Sequence, residues 1–166
     1  MTTAPLPAPQ LDPACTITVE TDPKRIWSTA RSPWGNVLVV DVVGGTVEGP
    51  LLNGTLLPSG ADWSLQLTDA ELAGPITQLD ARLAIELDDG AIVTMRYRGL
   101  SYTRPGHTPA PVAPGTPEDP ADFYVRTMVE LRTGAAAHDW LNRSLFLGVG
   151  THRKDAGPIY TLYAVR

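Results

Sequence analysis

The residues best placed to do chemistry close a turn-rich run that starts at Gly44-Gly45-Thr46-Val47-Glu48-Gly49-Pro50 and ends on Asp62-Trp63. Pro58-Ser59-Gly60 would deliver this acid and its neighbouring indole to the start of a strand, where the loop ends of a barrel converge. A carboxylate desolvated beside an aromatic ring is suited to general-base work. The pair also has a purely structural reading, with Trp63 capping the core and Asp62 bonding the preceding turn. Other chemistry-bearing types are dispersed. His107, His138 and His152 lie in unlike contexts at spacings that match no three- or four-ligand set, so no metal is expected. There is no Gly-x-Ser-x-Gly elbow and no catalytic-cysteine signature. Gly44-Gly45 and Gly148-x-Gly150 have no helix after them, so they read as bulges or close backbone approaches rather than phosphate cradles. Cys15, with no cation before Lys24, reads as a small buried side chain rather than a reactive thiolate. Without a cofactor motif, proton transfer is the chemistry left open.

The elements that must position these residues are strands. Between 15 and 102, runs rich in β-branched, aromatic and aliphatic residues recur at Cys15–Glu20, Asn36–Val47, Leu51–Leu57, Trp63–Leu67, Gln78–Leu87 and Ile92–Tyr102. Three more follow at Phe123–Thr133, Ser144–Thr151 and Ile159–Arg166. Each is closed by Gly, Pro, Asn or Asp, the punctuation of an antiparallel sheet. The excess of Gly (15) and Pro (16) in 166 residues falls mostly between these runs. The pattern predicts an all-β single barrel of about 8–10 strands, with at most a short helix near 134–142. Residues 1–14 are Ala/Pro-rich without periodicity and read as a flexible arm, dispensable to the barrel of 15–166. Residues 104–122 carry six prolines and form a long loop, read as disordered in preference to a lid.

The strands alternate cleanly. Leu79, Ala81, Leu83, Ile85 and Leu87 share one face of Gln78–Leu87, and Asp80, Arg82, Ala84 and Glu86 share the other. Phe123–Arg132 splits Val125, Val129 and Leu131 from Tyr124, Arg126 and Glu130. Alternation alone favours the apolar faces as the barrel filling and the charged ones as its solvated exterior.

Composition narrows the partners. Eighteen acidic and 13 basic residues give a net charge of −5, which offers no electrostatic footprint for nucleic acid or an anionic membrane surface. A single cysteine permits no internal disulfide and suits a reducing cytoplasm. No run approaches the roughly 18 apolar residues of a membrane span.

Six ordered motifs run through the chain: Gly44-Gly45…Gly49-Pro50, Gly60-Ala61-Asp62-Trp63, Asp80-x-Arg82, Asp89-Gly90, Tyr124-Val125-Arg126-Thr127 and Trp140-Leu141-Asn142. In these, from about Cys15 to Arg166, the sequence resembles the domain-of-unknown-function family DUF3237, also catalogued as UPF0311, small lipocalin-like β-barrels without an assigned reaction. It departs from the family pattern at Thr68-Asp69-Ala70-Glu71-Leu72-Ala73-Gly74-Pro75, where an Asp-Gly-Thr is common, and in the length of its Pro-rich loop. The resemblance implies a lipocalin-like fold. It also places Asp80, Arg82, Tyr124 and Arg126 in motifs that share the polar faces, which turns the expectation towards those faces lining a pocket.

On that reading the protein is a small-molecule-binding barrel that performs cofactor-independent proton transfer, as an isomerase, cyclase or lyase, on a partly apolar or aromatic metabolite. Asp62 or Asp80 would act as base and Arg82 as an anion holder, with Arg126 beside it. Trp63, Tyr97, Tyr124, Trp140 and Asn142 would contact the ligand. A carrier barrel without chemistry and a structural protomer are the alternatives, and a homodimer or higher homo-oligomer would cover an exposed edge or apolar outer face.

Overall fold

The alternation in Gln78–Leu87 is realised directly. In the computed structural model, which describes residues 5–67 and 74–166, Leu79, Ala81, Leu83, Ile85 and Leu87 are all buried inside a closed antiparallel barrel. Nine strands build it: β1 (Leu11–Ser28), β2 (Asn36–Glu48), β3 (Gly54–Leu56), β4 (Ala61–Leu67), β5 (Ile76–Leu87), β6 (Ile92–Thr103), β7 (Phe123–Thr133), β8 (Leu145–Thr151) and β9 (Ile159–Val165). The short β3 and the longer β4 both lie between β2 and β5, so eight positions complete the circuit. β1 closes it by pairing with β9 on one side and β2 on the other. An eight-position barrel is just wide enough for side chains to fill, or for one small ligand.

One end is plugged. A 3-10 helix, Ala136–Arg143, connects β7 to β8 and lays Leu141 into the core, while Trp140 packs on Phe146 with ring centroids 5.8 Å apart. Asn142 ties this turn to β7: its Oδ1 accepts from Thr133 N–H at 3.0 Å and its Nδ2 donates to Thr133 O at 2.9 Å. The opposite end, where β4 finishes and β5 begins, is the mouth. Among the described residues no helix is long and apolar enough to cross a membrane.

Three expectations need correction. First, the polar faces of β5 and β7 point outward: Arg82 is exposed, and Asp80 lies outside between Arg96 (3.7 Å) and Arg98 (3.5 Å). Tyr124 stacks on Tyr102 (4.8 Å) and lies under the guanidinium of Arg126. The inward positions of so narrow a barrel are already taken by the alternate residues of each strand, and turning guanidinium groups in among them would cost several kcal/mol per unpaired ion.

Second, the N-terminal arm is shorter than 1–14. Leu11–Pro13 pair with Val165–Tyr163, Ala14 is fully buried, and Arg166 forms an ion pair with Asp12. Deleting residues 1–9 is therefore expected to leave the thermal midpoint unchanged, whereas deletion through Pro13 should lower it by several degrees in differential scanning calorimetry.

Third, the Pro-rich loop is bound to the barrel. Glu118 N–H donates to His152 O (2.9 Å), Gly115 N–H to Lys154 O (2.6 Å) and Lys154 N–H to Thr116 O (3.1 Å), so the loop runs beside the β8–β9 connection at the mouth. Proline removes an N–H but no carbonyl, so Gly115 and Glu118 between the prolines donate while Thr116 accepts. Thr68 to Ala73, most of the segment that departs from the family pattern, lie outside the described residues.

Candidate functional site

Polar residues also occupy the inward parity, and they collect on the mouth side of the core. β4 turns Asp62, Ser64 and Gln66 inward in succession, so a column of polar side chains descends from the rim. β6 contributes Tyr97 and Ser101, β9 contributes Tyr160, and His152 lies just beyond the end of β8. Room for the large rings comes from small neighbours. A Cβ at Gly150 would fall 2.5 Å from the Tyr160 ring, and one at Gly148 would collide with the Thr127 hydroxyl. The Gly148-x-Gly150 pair is thus a close approach of side chains to backbone.

Asp62 is the centre of this set. Its Oδ1 accepts from Ser64 Oγ (3.0 Å) and from Asp80 N–H (3.2 Å), and its Oδ2 accepts from the Tyr97 hydroxyl (3.0 Å). Each carboxylate oxygen can accept twice, so Oδ1 is saturated and Oδ2 keeps one lone pair available. Among the described residues no cation pairs with it. Burial raises its pKa above the ordinary aspartate value, against the pull of the Tyr97, Ser64 and Asp80 hydrogen bonds and with a small push from the Asp80 charge.

The two tyrosines stay neutral. Burial drives the Tyr97 phenol well above its usual range, helped by Tyr160 and Asp62, and raises Tyr160 likewise. Their rings sit 5.4 Å apart, tilted by 50°. The Tyr160 hydroxyl is buried beside the Tyr97 phenol, yet no partner meets it with hydrogen-bond geometry among the described residues.

Nearer the rim, Ser101 Oγ and His152 Nε2 are 2.9 Å apart. They line a hollow of about 450 Å³ with Asn36, Gln66, Phe123 and Arg31. Burial lowers the His152 pKa, partly countered by the charge of Asp62. A depressed histidine keeps stability that is present above its unfolded pKa of 6.5 and is lost as the pH falls below it, because the unfolded chain then binds the extra proton. The melting midpoint of the wild type should therefore decline below about pH 6.5 more steeply than that of His152→Gln, measured by calorimetry across pH 5–8.

Of the sequence-derived candidates, only Asp62 and Tyr97 meet in this interior. Trp63, Asp80 and Arg82 share a cleft on the outer wall instead. Tyr124 and Arg126 stack on the outside, and Trp140 and Asn142 belong to the plug at the far end. Ser64, Ser101, His152 and Tyr160 escaped the sequence reading. A sign was present: Tyr97 and Ser101 continue the parity of Val93 and Met95, and Tyr160 that of Leu162 and Ala164, as polar interruptions of core-facing rows.

Comparison with known proteins places this architecture. The family model described as "Protein of unknown function (DUF3237)" matches residues 9–165. A UPF0311 protein of Rhodopseudomonas palustris (strain TIE-1) is 32% identical over 117 residues, 70% of this chain and 72% of that protein. One from Bradyrhizobium diazoefficiens is 28% identical over 147 residues, 89% of this chain and 92% of its own. Among solved structures, a beta-barrel like protein of Acinetobacter baumannii AYE superposes with a TM-score of 0.80 at 25% identity, covering 99% of this chain and 100% of that one. A protein described as an enzyme from Penicillium herquei has a TM-score of 0.68 at 17% identity over the full length of both chains, a likeness of fold alone. The chain belongs to the DUF3237 family.

Proposed function

We propose that the barrel is a cofactor-independent proton-transfer enzyme of isomerase, cyclase or lyase type, acting on a small, partly apolar or aromatic metabolite that enters at the mouth. The observation that carries this reading is Asp62: a buried carboxylate that, among the described residues, has no cation partner and accepts from three donors, one fewer than its two oxygens can take. A carboxylate serving as half of an ion pair would face a guanidinium or ammonium group instead of a phenol and a hydroxyl. In the reaction Asp62 Oδ2 takes a proton from a carbon beside a carbonyl, or from a hydroxyl. The Tyr160 hydroxyl donates to the oxygen on which charge develops, and the proton is returned to another atom of the same substrate or its product, so no oxidant or reductant is required. Neutral His152, with Ser101, forms a second proton station at the rim. The fold likeness to a protein described as an enzyme agrees with this reading, and the single, buried Cys15 is compatible with a cytoplasmic setting.

The test is a panel of hydroxylated aromatic ketones and acids, ranked by thermal shift and then followed in heavy water by proton NMR for exchange of carbon-bound hydrogen. Wild type should exchange at least one stabilising compound faster than buffer does. Tyr160→Phe should slow that exchange by about 10²–10³-fold, the usual cost of one lost oxyanion donor. Compounds that stabilise the protein yet never exchange would make the barrel a carrier.

A further inference from the structure

A second hollow lies on the outer wall, away from the mouth, and takes no part in the proposed proton transfer. It has a volume of about 780 Å³, within the range of small-molecule sites, and its walls include Arg25, Asp41, Trp63, Asp80 and Arg82. Gly60 shapes one edge. With φ at +148° and no Cβ, which would collide with the Arg82 carbonyl oxygen, it lets the chain entering β4 lie directly on β5.

The charges are unevenly matched. Arg25 is paired with Asp41, and Asp80 is shared by Arg96 and Arg98. Arg82 is left over: among the described residues no carboxylate comes within ion-pair distance of it. With the two arginines that hold Asp80 from outside the cleft, four guanidinium groups meet two aspartates around it, in a chain whose net charge is −5. Beside it the Trp63 indole is 60% exposed, a large apolar plane left in solvent.

We infer that this outer cleft is a binding site for a planar aromatic monocarboxylate, whose carboxylate is gripped by Arg82 and whose ring lies against Trp63. A guanidinium presents a planar fork that matches a carboxylate in two parallel hydrogen bonds, and an indole face offers the best stacking surface among the side chains. Arg82 is the one arginine of these walls without a carboxylate partner among the described residues, so the cleft offers a single anion subsite. The site is separated from the barrel interior by one strand: the Asp80 backbone N–H donates inward to Asp62 while its side chain faces the cleft.

Isothermal titration of the full chain with 2-naphthoate tests the assignment. The expected result is saturable one-to-one binding, with 2-naphthamide, which has the same shape without the charge, binding at least ten-fold more weakly. Arg82→Gln and Trp63→Leu should each weaken naphthoate at least ten-fold with unchanged melting midpoints, and Arg82→Lys should recover only part of the loss. His152→Gln, at the mouth, should bind as wild type does. The assignment is overturned if naphthoate does not saturate at millimolar concentration, if the amide binds equally well, or if binding survives Arg82→Gln. It is also overturned if His152→Gln abolishes binding, since the probe then enters the mouth. A sedimenting dimer dissociated by Trp63→Glu would overturn it too, giving this wall to a second copy of the chain.

Discussion

Asp62→Asn is expected to lower proton-transfer turnover by about 10²–10⁴-fold while leaving ligand binding in place, the signature of a lost general base. The substitution keeps the shape. Asn Oδ1 can still accept from Ser64 and from the Asp80 N–H, and the new amide can donate to the Tyr97 hydroxyl, which is free to turn and accept. What disappears is the open basic lone pair. Stability should move the other way. Because burial raises the native pKa of Asp62, its contribution is fully present below the unfolded value of 3.8 and is lost as the pH rises through the native pKa. The asparagine variant carries no such loss. Its melting midpoint should therefore gain on wild type as the pH is raised from 4 to 7, and a variant that instead falls steadily behind would mean that the carboxylate is held for structure.

Phe146→Ala should produce the largest loss of stability, about 3–5 kcal/mol. The ring is 1% exposed, sits in the layer of Ala81, Tyr97 and Val129, and supports Trp140 of the plug from within. Removing it opens a cavity that the rigid barrel wall cannot close. For a chain of this length the melting midpoint should fall by roughly 6–20 °C, read by calorimetry. Met128→Ala, 68% exposed one residue from Val129 on the same strand, should stay within about 0.5 kcal/mol of wild type, as should Arg82→Ala on the outer face of β5. Equal losses at Phe146 and Met128 would contradict the inward and outward faces described here.

Those faces mark the boundary between what the chain declares locally and what it does not. Strand number, strand type, the short helix after Gly134 and the family were all legible in the residues themselves. β-branched and aromatic runs closed by Gly, Pro, Asn and Asp specify strands without reference to anything distant. The alternation also said which residues share a face. It could not say which face turns inward once motif membership was weighed against it, and the barrel decided that: a closed eight-position wall has space inside for one set of side chains, and desolvating arginines is costlier than desolvating leucines.

The arm boundary was missed because pairing with Tyr163–Val165 draws on the last residues of the chain, over 140 positions away. The docked Pro-rich loop was missed for the same reason, its partners being backbone groups of 152–154. The candidate site depends most on closure. Asp62 was visible by its type and turn context and Tyr97 as an aromatic candidate, but Ser64, Ser101, His152 and Tyr160 are isolated polar residues at inward positions up to 98 residues further along the chain than Asp62. Their juxtaposition exists only because the register of β4 to β9 brings their strands around one interior, where burial then sets the protonation of the carboxylate and the imidazole.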